Sequence, residues 1–553
     1  MSELRSLAMA AACALACAAP STATTAALPQ DSHAVALLSA FRPIGAVGNN
    51  LSNPALNPVP GSPEVLLAPL NFKPGTRNGL VDGPNPRTVS NVIAGGTGAN
   101  GEDAQTTDTR ASAWLYVFGQ FVDHDISLES NLPGGIPINI PVPPGDPVFR
   151  GTSIKMTRNV RHPRTNTIVN TVAGFLDLSQ LYGSTPALAA SLRNADGTLK
   201  TSNGGLALQI VNNRFVTGDP RVNENPELAA VTILFMREHN FWVGELKNQN
   251  PGWNGNQLYE MARAITTAEY QNVIYNEYLP VLVGPAVGSY RGYDPRVNAQ
   301  VSQEFSTVAF RVGHTQVSET QSGIDNRGND VFTQSLADAF FNTAQQTLQN
   351  GIDPLLRNVT AEFSQATDVY TVPVLRNLLF APLPGGNVDQ VDLIAIDIQR
   401  ARDAGVASLA QMRRALGLPQ YSSFADLTPA PRLQAAFRRL YGTIDKVDLF
   451  MGGQAERHAR GAVVGPTFQA IIARQFRALR DGDRFYWQNQ PFDAATASTI
   501  ASTKLSRIIL RNTDTTNLAE NAFIAATRRP HAAAPGSATV TDTHGFEQPF
   551  TTQ

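Results

Sequence analysis

The stretch ASAWLYVFGQFVDHDISLE, Ala111 to Glu129, constrains the fold more than any other. Its first half is almost entirely apolar, which predicts a buried helix. Its second half puts Gln120, Asp123, His124 and Asp125 on that same helix. Burying such groups costs free energy unless each has a partner or a task. The chain must therefore close around a site here, not only around an apolar core. On a helix Gln120 and His124, four apart, share a face, and Asp123 flanks it. Asp125 is turned about 200° from Asp123 and faces a second place. Alone, the cluster fits a capped helix end as well as a site.

Three further clusters tilt that balance. RVNENPEL sets Arg221 and Glu224 in the loop before a helix with Asn225 as N-cap, Pro226 at the first position and Glu227 in the first turn. AFRVGHTQV has Arg311 three residues before His314, and IDIQRARDAG carries Asp397 and Arg400. Two histidines, each beside an arginine or a carboxylate, suggest a cofactor with two faces. His239 and His458 read as structural histidines.

The rest of the chain sets the frame. Basic and acidic residues nearly balance, 43 against 45, which gives no sign of nucleic acid or an anionic membrane as partner. A helix is expected over PTFQAIIARQFRALRD, ending near Gly482. With 43 Gly and 37 Pro, long irregular segments are expected, over about Asp31 to Asn100 and over Pro133 to Phe149. Strand-like runs are few and short. Arg5 and the apolar run Leu7–Ala19 read as a secretory signal over residues 1–27, cut near Ala23 to Ala27. The only cysteines, Cys13 and Cys17, lie within it, so the exported chain would use no disulfides. No other segment is apolar enough for a membrane span. The main domain is expected over 28–529, with a poorly ordered tail over 530–553.

FGQFVDHD, RVNENPELAAVTILFMREHN, FRVGHT, IDIQRARDAG and the segment from Met451 to Trp487 occur in one order. In this the chain resembles the animal-type haem peroxidases, the superfamily that also holds the cyclooxygenases, from about Phe41 to about Asn512. The resemblance implies a mainly α fold, with a helical core around a buried haem b, long irregular loops and little strand. It implies an exported, haem-dependent enzyme that reduces hydrogen peroxide and oxidises small donors. Phenols, iodide, thiocyanate and, at the margin, bromide are the donors expected. His124 becomes the distal histidine, with Gln120 and Arg221 beside it, and His314 the iron ligand with Asp397 behind it. Arg311 and Arg400 match arginines near the haem propionates. Asp123 and Glu224 match carboxylates ester-linked to the haem. Asp125 matches a calcium ligand, with Asp177, Ser179 and the Phe175 carbonyl completing the set.

Three positions depart from the family pattern. Ala173 replaces a threonine of the calcium loop and removes a hydroxyl ligand. Asn225 stands where myeloperoxidase has a methionine that makes a sulfonium link to the haem. Asp397 stands where the animal enzymes have asparagine. Two other readings are a fatty-acid oxygenase and a non-enzymatic adhesion or matrix protein. Arg311 at the position of the cyclooxygenase radical tyrosine argues against the first. An intact His124–Arg221 pair, and the absence of an RGD motif, argue against the second.

Overall fold

The computed structural model describes residues 41–72, 79–96, 107–130, 135–340, 343–379, 390–528, 540–542 and 547–548. The segment read as a signal peptide lies outside them, as does most of the tail. Helices dominate. Four carry the architecture around the site: α1 (Trp114–Ile126), α2 (Pro226–Gln249), α3 (Gly255–Val273) and α4 (Leu393–Asp403). Strands are short; among the described residues they pair in twos, apart from one antiparallel three-stranded sheet of Ala526–Arg528, Val540–Asp542 and Glu547–Gln548. The longest ribbon pairs Thr320–Ile324 with Asp330–Ser335. No helix among the described residues is long and apolar enough to cross a membrane.

Local signals set the helix ends. Asn225 caps α2 by accepting from Leu228 N, with Pro226 following it, as the spacing predicts. Asn254 and Gln257 form a capping box at the start of α3. The expected helix after Gly465 spans Pro466–Asp481 and stops at Gly482. The Gly- and Pro-rich N-terminal region is largely irregular where described, but it holds a 3-10 turn at Pro54–Leu56, a short strand at Ser62–Pro63 paired with Val169–Asn170, and a helix, Pro86–Val89, that runs into a π turn over Ser90–Ala94. The Pro-rich loop likewise contains one strand, Ile140–Pro141, paired with Ser153–Ile154.

Helix α1 lies at the centre of the core and is buried on nearly every side. Phe118 meets Tyr278 and Phe523 edge-on, and Phe121 stacks on Phe235 with centroids 5.2 Å apart. Truncating a ring buried this way costs about 3–5 kcal/mol. Gly119 is required by a close approach, since a Cβ there would lie 2.8 Å from the Tyr278 hydroxyl. Tyr278 comes from a π turn, Ile274–Tyr278, that continues α3. His314 instead sits on a 3-10 segment, Ala309–Thr315, packed under α1 with Phe310 stacked on Phe305. His239 and His458 are tied to their surroundings: His239 to Tyr182 and the Gly197 carbonyl, His458 to the Thr367 carbonyl.

Candidate active site

A cavity of about 430 Å³ opens between α1 and the 3-10 segment. His124 and His314 both line it, and so do Gln120, Asp123, Arg221, Glu224 and Arg311. Residues more than a hundred apart in sequence therefore share one chamber, as the two-faced reading requires.

On the α1 side most polar groups are held by partners. Gln120 donates to Glu224 at 3.0 Å and accepts from Asn225 Nδ2 at 3.1 Å, so the N-cap of α2 also orients the amide. Asp123 accepts from Ser127 Oγ at 2.9 Å. His124 Nε2 lies 3.9 Å from Glu224, too far for a hydrogen bond, which leaves it open to the cavity. Burial, and then the Arg221 charge, pull His124 down to about 3, so its imidazole is neutral at physiological pH. Burial pushes Glu224 up to about 7 and also raises Asp123, although Arg221 pulls against both. Arg221 is fixed from behind by Asp219, which accepts from Nε and Nη2, and by the Ser127 carbonyl at 2.8 Å. Asp219 also caps the turn carrying Arg221 by accepting from its backbone N–H.

The opposite wall is built from charges. His314 Nδ1–H donates to Asp397 Oδ2 at 2.6 Å. A carboxylate only accepts, so Nδ1 carries the proton and Nε2 keeps its lone pair. The His314 side chain is 29 % exposed and that of Asp397 is 0 % exposed. The imidazole thus faces the cavity with its carboxylate sealed behind it. Asp397 Oδ1 accepts from Arg311 at 3.2 Å, and Arg311 donates also to Glu129 and to the Ser306 carbonyl. Arg400 does not line the cavity; it donates to the Thr157 carbonyl and lies 4.0 Å from Glu129.

These residues fit a haem. One imidazole offers a lone pair steadied by a buried carboxylate, a second stays neutral on the facing wall, and Leu336, Leu375 and Leu393 supply apolar lining. Nor is Asp125 part of this chamber. It is fully buried behind α1, where it accepts from Leu178 N and from Ser179 N and Oγ. Asp177 has a buried Oδ1 without a hydrogen-bond partner among the described residues. Burial raises both carboxyls, Asp177 to about 6, and their mutual repulsion raises Asp125 further. An orphaned carboxylate oxygen next to a second carboxylate, a hydroxyl and the Phe175 carbonyl is an oxygen donor set that suits a hard cation.

Sequence reasoning missed four residues here. Asp219 had a signal, an Asp-Pro pair just before Arg221 that reads as an N-cap. Glu129 had none, because its partners are distant in sequence. Tyr116 looked like one more core aromatic, yet it lies on the face of Gln120 and lines the cavity. Its hydroxyl donates to Glu227 Oε1 at 3.3 Å, and Glu227 lines the cavity too.

Comparison with known proteins defines the class. Residues 41–523 match the animal haem peroxidase family. Human eosinophil peroxidase is 32 % identical over 83 % of this chain and 72 % of its own length. Peroxidase A from Dictyostelium discoideum superposes with a TM-score of 0.77 at 27 % identity, over 87 % of this chain and 99 % of that one. A fatty acid alpha-dioxygenase from Arabidopsis thaliana shares the fold alone, with a TM-score of 0.70 at 18 % identity over 91 % of this chain and 88 % of that one. The chain belongs to the animal haem peroxidase family. It is a haem peroxidase, an oxidoreductase that uses hydrogen peroxide.

Proposed function

We propose that this chain is an exported peroxidase whose haem b lies between His314 and His124, and whose donors are iodide, thiocyanate and phenols, with bromide at the margin. The neutral His124 facing the carboxylate-backed His314 across one cavity carries this reading. Bound haem supplies the redox chemistry, drawing electrons from the donor to reduce peroxide. His124 takes a proton from the incoming peroxide oxygen and returns it to the leaving one. Arg221, held by Asp219 and unable to deprotonate, stabilises negative charge as the oxygens separate. Gln120 and Glu224 orient what enters. The donor range rests on Asp397: a carboxylate behind His314 makes the ligand more electron-rich and lowers the reduction potential. Asn225, whose amide caps α2 and orients Gln120, provides no sulfonium to raise it. A steady-state screen should show turnover of iodide, thiocyanate and phenols with little chloride oxidation at neutral pH. Efficient chloride oxidation would refute the donor range.

Two attachments belong to the same reading. Asp123 and Glu224 open onto the cavity, with side chains 30 % and 38 % exposed, and are the proposed ester sites. After peroxide treatment, acid extraction should leave haem on the polypeptide; complete extraction would exclude the esters. Calcium is proposed at Asp125, Phe175, Asp177 and Ser179. Metal analysis of active, unchelated protein should find it, and finding none would remove the site. Export rests on residues 1–27, and a mature N-terminus between residues 24 and 28 is the expected mass-spectrometric result.

A further inference from the structure

The cavity holds a pair that peroxide reduction itself does not use. Tyr116 is one turn before Gln120 and two before His124, so all three project from α1 along one line. It also stands close to the opposite wall: a Cβ built on Gly313, next to His314, would lie 3.9 Å from Tyr116 Cβ. Its hydroxyl is buried and bonded to the Glu227 carboxylate. Glu227 faces Tyr116 on α1, Gln321 on the ribbon and Glu362, which follows Asp353–Ala361 and is held by Ser318 and Asn358. A phenol is hard to oxidise unless its proton leaves with its electron, and Glu227 supplies the acceptor. Tyr278, the other phenol lining the cavity, makes no hydrogen bond to a carboxylate among the described residues; its hydroxyl lies against Gly119.

We infer that Tyr116 is a redox-active residue that stores one oxidising equivalent beside the haem, with Glu227 as its proton acceptor. Once peroxide has been reduced, Tyr116 gives one electron to the oxidised haem and its phenolic proton to the ionised Glu227 carboxylate. A neutral tyrosyl radical and a carboxylic acid remain. One electron from a small donor, with the proton returning from Glu227, restores the phenol. Burial from solvent protects the stored equivalent until a donor arrives. The inference rests on the haem occupying this cavity.

The test uses the holoenzyme, one equivalent of hydrogen peroxide and no donor, frozen rapidly for electron paramagnetic resonance. Wild type should give a radical signal that narrows with ring-deuterated tyrosine. Tyr116→Phe should lose most of it, Tyr278→Phe should keep it, and Glu227→Gln should cut it severalfold. Burial and then Glu362 push Glu227 up to about 8, so its ionised fraction, and the radical yield, should grow between pH 7 and 9. A purely structural tyrosine would show none of this. Should Tyr116→Phe fail to load haem, a nitroso spin trap on wild type, followed by peptide mass spectrometry, reads the site directly. An undiminished signal in Tyr116→Phe, or an adduct on another tyrosine, overturns the inference. If peroxide leaves the Soret band of wild type unchanged, the placement of the haem fails instead, which separates the two failures.

Discussion

The two walls of the cavity solve opposite problems. The His124 wall is a long helix embedded in apolar packing, and its histidine is kept neutral by burial and by Arg221. The His314 wall is a short 3-10 segment whose histidine is tied to an ionic chain of Asp397, Arg311 and Glu129. A group that exchanges protons needs an unoccupied nitrogen on a rigid support. A metal ligand needs electron density, and a buried carboxylate provides it. Arg311 tempers that supply, because it takes one of the two Asp397 oxygens.

The largest expected effect falls on the ionic wall. His314→Ala should abolish stable haem binding, or shift the absorption spectrum away from a histidine-ligated ferric form. Unaltered spectra would break the assignment of the two walls. Next comes the support behind Arg221. Asp219→Ala removes two hydrogen bonds to a charged group, and the resulting misplacement should slow reaction with peroxide by about tenfold while haem loading is kept. Equal rates, measured by rapid mixing, would show that Ser127 alone suffices to hold Arg221. Smaller still is Asp397→Asn. A loss of about 1 kcal/mol in hydrogen-bond strength corresponds to roughly 40 mV for a one-electron couple, so the Fe(III)/Fe(II) potential should rise by about that much. Spectroelectrochemistry checks it, and a lower potential in the variant would reverse the role given to Asp397.

The same contrast explains which parts of the fold and the site are legible in the sequence. The helix through Trp114–Ile126 and the cap of α2 are local, since apolar patterning and an Asn-Pro start need no distant partner. That His124 and Asp125 lie on different faces of one helix follows from helical geometry alone. The ionic wall is another matter. Asp397 and Arg311 are 86 residues apart and Arg311 and Glu129 are 182 apart, so only chain folding pairs them. The motifs point to Asp397, Arg311 and Arg400, and of these Arg311 lines the cavity while Asp397 and Arg400 stand behind it. Tyr116 is hidden because a tyrosine in an apolar run has the pattern of a core residue whether or not it faces a cavity. Only the position of Glu227 distinguishes it.

The central claim is that His124 is the neutral proton carrier opposite His314. Rapid mixing with peroxide, following the Soret band from pH 8 to pH 5, tests it most directly. A base held down to about 3 stays unprotonated across that window, so the rate should stay flat. His124→Ala should keep its haem and react about 10² to 10⁴-fold more slowly at every pH. A wild-type rate that falls steadily below pH 6.5, or a variant that reacts as fast as wild type, would contradict the account.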